Sequence, residues 1–496
     1  MDRHAAAVQK IASSIRQHYL RRTPYRINHG STNSTRPRPS SQAAVDISSL
    51  RHVLSVDTTR RTALVEPNVP MDRLVEATLP RGLIPPVVME FPGITAGGGF
   101  AGTAGESSSF RHGFFEDTVR RVEMVLGDGD VVDTNRGDEL FKAAAGSVGS
   151  FGIATALEVD LIRAKKYVRV GYRRVGGARE AVEVVRDQCE GTRDYVDGIL
   201  FSKGHGVVVT GDLVDEVPAG KKVRTFSGAW DPWFYMHARD KRKGDEDEYV
   251  PLAEYLFRYD RGGFWVGESA FRYFGGAVPF NRWTRWWLDD FLHTRMLYRA
   301  LHGSEESARM VVQDIAMPME TTEEFVEYTD KQMGIWPLWL CPLKRKGPPT
   351  FHPYTTPPGR EGKEGELMMN VGVWGWGPKD PNEFVRKNRE LEAKVAELGG
   401  MKWLYAHTYY NQNEFWPMYG GRKWYDALRE EYHATTLPTV WDKVHVDAEA
   451  ASGKQRHWLK KLPVVGGLWG IWKAIQSKDY LLHREATWKW KGDEKS

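Results

Sequence analysis

Three segments rich in small residues lie within the first 155 residues of this chain and constrain its fold most strongly. They are HGSTNST at 29–35, GITAGGGFAGTAGESSS at 93–109 and GSVGSFGIAT at 146–155. Glycine lets the backbone approach a ligand closely, and small hydroxyl side chains add hydrogen-bond donors. A single such segment would indicate only a turn. Three of them together predict a site where several backbone N–H groups meet one anion, such as a pyrophosphate.

Other classes of site fit the sequence less well. None of the three segments has the GxxxxGK[ST] spacing of a P-loop, and none follows a first βαβ strand with an acid about 20 residues further on. The chain carries 69 Lys and Arg against 65 Asp and Glu, which excludes a nucleic-acid binder driven by overall charge. Its two cysteines exclude a disulfide framework and a Cys-rich zinc site, so we expect no metal centre.

The hydrophobic pattern predicts an α+β fold. Strand pairs are expected over 51–69 and 118–134, a helix over 71–79, and strands over 195–214 and 309–318. A further strand is expected over 333–342, another over 366–376, and helices over 178–188 and 382–398. No apolar run approaches the ~18 residues of a spanning helix, and the first residues lack the apolar core of a signal peptide. We therefore expect neither feature.

The order of the three segments resembles the flavin domain of the vanillyl-alcohol-oxidase superfamily, the PCMH-type FAD-binding domain. The matching text is HGSTNST, TAGG, ESSSFRHGFFEDTVRRVEMVLGDGDVV and AAAGSVGSFGIATALEVDLI, over residues 25–165. The resemblance implies two α+β subdomains with FAD between them, and a mixed sheet-and-helix cap domain. The expected division is an N-terminal helix at 1–24, the flavin domain at 25–165, the cap at 166–400, a segment completing the flavin site at 401–450, and a basic tail at 451–496.

Four stretches are similar to the Δ24-sterol reductase, or Diminuto-type, family within that superfamily. They are GESSSFRHGFFEDTV from Gly105, VVQDIAMPM from Val311, GIWPLWLCPL from Gly334 and LYAHTYYNQNEFWPMY from Leu404. The likeness covers roughly residues 25–447. One departure is the segment before the second glycine loop, where MEFPGIT keeps Glu90 but loses two acids of the family pattern.

The resemblance implies an FAD-dependent enzyme that reduces a C=C bond of a sterol or related lipid, with NADPH as electron donor. Two alternatives remain open from the residues: a flavin oxidase or dehydrogenase acting on an alcohol or secondary metabolite, and a non-catalytic flavoprotein. The expected partner is an apolar small molecule. The expected location is the cytoplasm or the surface of the endoplasmic reticulum membrane.

The resemblance assigns cofactor binding to the three glycine-rich segments. The residues are Gly30, Ser31, Thr32, Asn33, Ser34, Thr95, Gly97, Gly98, Ser107, Ser108, Gly146, Gly149, Ser150, Gly152 and Ile153. Covalent relatives carry a histidine at the position of Asn33. An amide cannot alkylate onto the flavin as an imidazole does, so we expect non-covalent FAD.

Hydride addition to an unactivated alkene needs a proton donor. Candidate donors in the family-like segments are Glu90, Glu106, His112, Tyr405, His407, Tyr409 and Asn411. Of these we predict catalytic roles for Tyr409, Glu106 and His112. Each has a structural alternative: Glu106 could cap its loop, and a lone histidine is often structural.

Two aromatic regions have more than one interpretation. The tryptophans and phenylalanines between 226 and 291 fit either the core of the cap or the wall of an apolar pocket. In the tail, ten Lys or Arg side chains against four acids accompany five tryptophans. That pattern suits peripheral contact with a membrane, or tryptophans that pack on the body of the protein.

Overall fold

The computed structural model describes residues 2–30, 43–273, 278–303, 309–406, 408–446 and 475–492. Within these ranges the fold is α+β, with a five-stranded sheet, an eight-stranded sheet and two short strand pairs. The expected fold class is confirmed.

The five-stranded sheet forms the centre of the first part of the chain and is antiparallel throughout. Its central strand Gly152–Asp160 pairs with Thr62–Val65 on one side and Val119–Leu126 on the other. The outer strands are Val53–Asp57 and Val131–Asn135. The strand pairs expected over 51–69 and 118–134 are therefore confirmed.

The eight-stranded sheet follows and is also antiparallel at every pairing. From edge to edge its strands are Glu248–Pro251, Tyr167–Val175, His205–Val214, Tyr195–Ser202, Leu338–Lys344, Leu367–Trp376, Met310–Pro318 and Met401–Lys402. The strand expected from 333 begins only at Leu338. Pro337 precedes it and has no N–H to give to a neighbouring strand, which explains the later start.

Two small sheets and a set of helices complete the fold. Arg26–Asn28 pairs in parallel with Ala44–Asp46, and Leu83–Ile84 pairs with Ile162–Arg163. The α-helices are Asp2–Leu20, Met71–Thr78, Ala96–Gly102, Ser109–His112, Glu139–Ala144, Ala178–Glu190, Phe234–Arg239, Leu252–Leu256, Val266–Tyr273, Arg282–Trp287, Thr294–Gly303, Thr322–Gln332, Pro381–Glu397, Gln412–Met418, Arg422–Glu431, Val440–Val444 and Tyr480–Arg484. Short 3₁₀ helices span Leu79–Arg81, Phe115–Thr118 and Asp289–Phe291.

The two faces of the eight-stranded sheet have different neighbours. The helices Ala178–Glu190, Thr322–Gln332 and Pro381–Glu397 cover one face, where Val311 and Ile315 join a compact apolar core. Trp339 on the other face joins the larger core that continues into the five-stranded sheet. This second face therefore borders the part of the chain that contains the five-stranded sheet.

The described part of the tail, residues 475–492, packs on the body of the protein. Trp488 contacts Phe257 with ring centroids 4.9 Å apart, and the backbone N–H of Thr487 donates to Glu76 at 2.6 Å. Trp458, Trp469 and Trp472 lie outside the described residues. No helix in the described ranges combines the length and apolar character that a membrane crossing requires.

Candidate active site

A large cavity lies between the glycine-rich loops of the first part and the inner face of the eight-stranded sheet. Its volume is about 890 Å³. Ligand pockets commonly span about 300–1,000 Å³, so this one is large enough for an extended ligand. It has a polar end and an apolar end, which are described in turn.

The polar end is built from the loops that the sequence singled out. Thr95, Gly97 and Gly98 line it, as do Gly149 and, from the start of the central strand, Gly152 and Ile153. A Cβ added to Gly97 would lie 2.7 Å from the Cβ of Pro67, so only glycine fits there without movement. Because Gly97 has no side chain, its backbone can come close to a ligand in the cavity.

Donor groups gather at the same end. The buried Nε of Arg26 and the buried hydroxyl of Tyr25 have no hydrogen-bond partner among the described residues. Lys443 donates from its Nζ to the carbonyl oxygen of Gly149 at 2.7 Å and also lines the cavity. Buried donors without partners fit an anionic ligand, and this donor set suits the diphosphate of FAD.

The apolar end follows from strand alternation. Side chains two apart on a strand share a face, and Met310, Val312 and Asp314 all line the cavity. Trp374 from the neighbouring strand Leu367–Trp376 and Trp339 from the next strand, Leu338–Lys344, add to this wall. The helix Thr294–Gly303 supplies further apolar surface through Leu297, Tyr298 and Leu301.

The aromatic residues between 226 and 291 take three different places. Phe264 lines the cavity, and Trp233 and Trp265 are buried. Trp283 and Trp287 are exposed. Both interpretations of this region are therefore correct in part, and a third group faces the solvent.

Three of the carboxyl groups that line the cavity have raised pKa values. Burial raises the pKa of Glu90 to about 7 and the pKa of Asp314 to about 7. Burial also raises the pKa of Glu106 well above its usual value. Carboxyl groups with such pKa values can hold a proton near neutral pH, which is what a general acid requires.

Glu90 belongs to a buried ion network. The guanidinium of Arg258 lies 2.8 Å from Glu90 and 3.0 Å from Asp197, and each of the three side chains is almost fully buried. The hydroxyls of Ser107 and Tyr259 donate to Glu90 and Asp197 at 2.9 and 2.7 Å. A buried charge is tolerated only when it is paired. We therefore expect these contacts to hold Glu90 in one position on the cavity wall.

Asp314 and Tyr405 form a hydrogen-bonded pair inside the cavity. The hydroxyl of Tyr405 donates to Oδ2 of Asp314, and Nδ2 of Asn370 donates to Oδ1 at 3.0 Å. All three side chains line the cavity. A Cβ added to Gly372 would lie 3.1 Å from Oδ1 of Asp314, so this glycine leaves room for the carboxyl group.

The predicted site residues separate into three groups. Thr95, Gly97, Gly98, Glu106, Gly149, Gly152 and Ile153 line the cavity. Gly30, Ser107, Ser108, Gly146, Ser150, His112 and Tyr409 are described residues that are not among the lining residues. Ser31, Thr32, Asn33 and Ser34 lie outside the described residues, as does His407.

Residues of the second group support the site from behind. Ser107 bonds to Glu90, and the hydroxyl of Ser108 donates to the carbonyl of Pro86 at 2.9 Å. Tyr409 packs in the core on the helix-covered face of the large sheet. Burial, together with the positive charge of Arg111, lowers the pKa of His112. Neither His112 nor Tyr409 is placed to touch a ligand in the cavity.

Sequence reasoning missed two functional candidates and undervalued a third. Asp314 lies in the VVQDIAMPM stretch, but only strand alternation shows that it faces the cavity with Met310 and Val312. The sequence contains one indication that Arg258 is buried in an ion pair, because it is a charged residue within the aromatic run EYLFRYD. Tyr405 is one of the candidate donors in the family-like segments, but the sequence pattern favours Tyr409.

Comparison with known proteins places these features in context. Residues 3–135 match the family model described as FAD binding domain. The chain is 32% identical over 412 residues to the Delta(24)-sterol reductase of Macaca fascicularis, covering 80% of this chain and 76% of that protein. The human Delta(24)-sterol reductase is 31% identical over 412 residues with the same coverage. The Arabidopsis thaliana Delta(24)-sterol reductase is 30% identical over 439 residues, also covering 80% and 76%.

Proposed function

The chain belongs to the Δ24-sterol reductase family, and on that premise we propose that its cavity holds FAD at the polar end and a sterol at the apolar end. The protein is an FAD-dependent oxidoreductase that acts on a C=C bond. The observation that carries the proposal is one cavity lined by the glycine loops and by an aromatic wall that holds the hydrogen-bonded pair of Asp314 and Tyr405. NADPH is the proposed electron donor.

The residues at the polar end match the needs of the cofactor. Gly97 and Gly149 bring backbone close to a diphosphate, and Arg26 and Lys443 bring positive charge. We propose that the other glycine-loop residues named from the sequence support the loops that surround the diphosphate. Bound FAD, once reduced, supplies a hydride to one carbon of the alkene.

The other alkene carbon must receive a proton. We assign this proton to Tyr405, with Asp314 as its source. When Asp314 is neutral, its Oδ2–H donates to the Tyr405 oxygen, so the hydrogen bond between these two oxygens is reversed. Tyr405 gives its hydroxyl proton to the carbon and takes this proton from Asp314, so the phenol is never left charged. Asn370 holds Oδ1 of Asp314 in place during this transfer. Asp314 then regains a proton from solvent, and the alkene has gained one hydride and one proton.

Glu106 keeps a proposed role beside this pair. It lines the same cavity, and burial raises the pKa of its carboxyl well above the usual value. We propose that it contacts the flavin rather than the alkene, because its loop also contributes Gly105 and Ala104 to the lining. His112 and Tyr409 are not part of the proposed chemistry.

The proposed function is tested by anaerobic titration of the yellow holoprotein. NADPH is expected to bleach the flavin band near 450 nm, and desmosterol is expected to restore it. Acid precipitation is expected to leave a colourless pellet, as non-covalent FAD requires. Bleaching by an alcohol, fast reoxidation in air and no response to NADPH would instead support the oxidase alternative.

The pH dependence of the sterol step is expected to follow Asp314. Burial raises the pKa of this carboxyl to about 7, and the proposed acid form exists below that value. The rate of sterol-driven flavin reoxidation is therefore expected to be constant at low pH and to fall about tenfold per pH unit above the pKa. Asp314→Asn is expected to be slow and to lose this dependence in stopped-flow measurements.

Stability measurements separate this effect from unfolding. The carboxyl ionises near 3.8 when unfolded but only near 7 when folded, so its ionisation favours unfolding as pH rises between those values. Asp314→Asn is therefore expected to melt no lower than the parent at pH 8. A variant that keeps the parental pH profile would contradict the assignment of Asp314 as the acid.

Contact of the tail with a membrane remains part of this proposal. The basic segment with Trp458, Trp469 and Trp472 lies outside the described residues. The described part adds no exposed tryptophan of its own, because Trp488 is buried and Trp490 is half-buried. A surface location at the endoplasmic reticulum is likewise a proposal, supported by the apolar nature of the substrate.

A further inference from the structure

Four tryptophans of the cap form a continuous surface that no described part of the chain covers fully. This tryptophan patch consists of Trp230, Trp283, Trp286 and Trp287, with exposed fractions of 40%, 70%, 42% and 73%. Trp230 stacks on Trp286 with centroids 4.8 Å apart and meets Trp283 edge-on at 5.2 Å. Large exposed apolar patches are rare on soluble proteins and usually mark an interaction site.

Hydrogen bonds hold the tryptophan patch in a defined position. Three of its members lie on the helix Arg282–Trp287, and Oδ1 of Asn281 caps that helix by accepting from the N–H groups of Trp283 and Thr284 at 2.9 and 3.0 Å. The Arg282 guanidinium donates to the carbonyl of Trp230 at 3.2 Å, which joins the loop to the helix. The four rings are therefore held on one side of the cap.

The charge around the patch is positive. Arg282 lies over the ring of Trp230, and Arg285 lies over the ring of Phe280. Within the part of the chain that the structure describes, neither guanidinium forms an ion pair. The acids that follow the helix are already paired, Asp289 with Arg261 and Asp290 with Arg484. Arg285 is half-buried, because its guanidinium also lies over the buried ring of Trp233, and Glu268 acts on its charge. The surface therefore offers tryptophans together with the exposed guanidinium of Arg282.

Its position connects it with the cavity. The patch helix lies in sequence between Val266–Tyr273 and Thr294–Gly303, and both of those helices contribute cavity-lining residues. Phe280, just before the patch helix, contacts Phe271 on the first of them with centroids 5.2 Å apart. Phe280 therefore packs the segment before the patch helix against a helix that contributes Val266 to the cavity wall.

We propose that the tryptophan patch seats on a lipid bilayer that carries anionic headgroups. Tryptophan prefers the interface between headgroups and acyl chains, and arginine beside it can reach the phosphates. The route from bilayer to cavity rests on the proposed sterol substrate, because a sterol dissolves in a bilayer and hardly at all in water. The contact between patch and bilayer does not depend on that substrate.

The test is co-sedimentation of the holoprotein with phosphatidylcholine vesicles, with and without phosphatidylserine. The double variant Trp283→Ser/Trp287→Ser is expected to partition at least about tenfold less into the vesicles. The parent is expected to bind several-fold more weakly when phosphatidylserine is omitted. Leu20→Ser is the matched control, since Leu20 is 75% exposed on the N-terminal helix, and it should bind as the parent does.

Turnover measurements separate the outcomes. With sterol delivered from cyclodextrin, the double variant is expected to match the parent in rate and FAD content. With sterol delivered from vesicles, it is expected to be slower. Equal vesicle binding by parent and double variant would overturn the proposal, as would a parent dimer in solution that buries the patch and ignores vesicles. Failure of turnover from cyclodextrin in the parent would count against the proposed function alone.

Discussion

Replacement of Tyr405 by Phe is expected to lower kcat for sterol reduction by about 10²- to 10⁴-fold, the range that general acid catalysis commonly contributes. The phenol is the one group of the acid pair proposed to meet the alkene, and phenylalanine keeps the ring but removes the proton. Flavin content and the rate of flavin reduction by NADPH are expected to stay at parental values. Stopped-flow absorbance resolves the two half-reactions and places the loss in the sterol step.

Tyr409→Phe is the matched control for this variant. Tyr409 lies four residues further along and packs against the helix-covered face of the large sheet, away from the cavity. Its kcat is expected to stay within about twofold of the parent, since no reacting group is touched. A Tyr405→Phe enzyme that reduces sterol at a rate near that of the parent would rule out the proposed donor.

Replacement of Arg258 by Met is expected to destabilise the protein by about 3–5 kcal/mol, because it removes the counter-charge that stabilises the ionised forms of the buried Glu90 and Asp197. The free energy of unfolding is measured by urea titration of the holoprotein, with far-UV circular dichroism and flavin release followed together. Flavin is expected to be released at lower urea than in the parent, since Glu90 also lines the cavity.

Two further variants show whether the buried network causes this loss. Arg179→Met breaks an exposed ion pair with Glu323, and its free energy of unfolding is expected to stay close to that of the parent because exposed ion pairs contribute little. Adding Glu90→Gln and Asp197→Asn to Arg258→Met is expected to restore much of the lost stability, because neutral amides are cheaper to bury than charges. No recovery in this triple variant would show that packing of the arginine, and not its charge, holds the network.

The glycine loops were visible in the sequence because their signal is local. A run of small residues such as the one around Gly97 needs no knowledge of the fold to indicate close backbone approach, and the structure puts this run on the cavity wall. The strand pairs of the first sheet were equally visible, since alternation and turn residues lie within about fifteen positions of each other.

The acid pair was not visible because it is assembled over long range. Asp314 and Tyr405 are 91 positions apart. Their meeting depends on the pairing of Met310–Pro318 with Met401–Lys402, which sets Ala316 opposite Met401. A shift of one residue in that register would turn Asp314 to the other face of the sheet. The candidate segments can be recognised from the sequence, but which face of the sheet Asp314 takes depends on this register.

The strand Met310–Pro318 also has a consequence for how this enzyme can diversify. Met310 and Val312 face the cavity, whereas Val311 and Ile315 belong to the core beneath the helices. Alternate positions on this strand therefore have different roles. The cavity-facing positions shape the space for the substrate, and the positions between them stabilise the fold. Exchange of Met310 or Val312 for other apolar side chains offers a route to new sterol side chains that leaves the packing of the core intact.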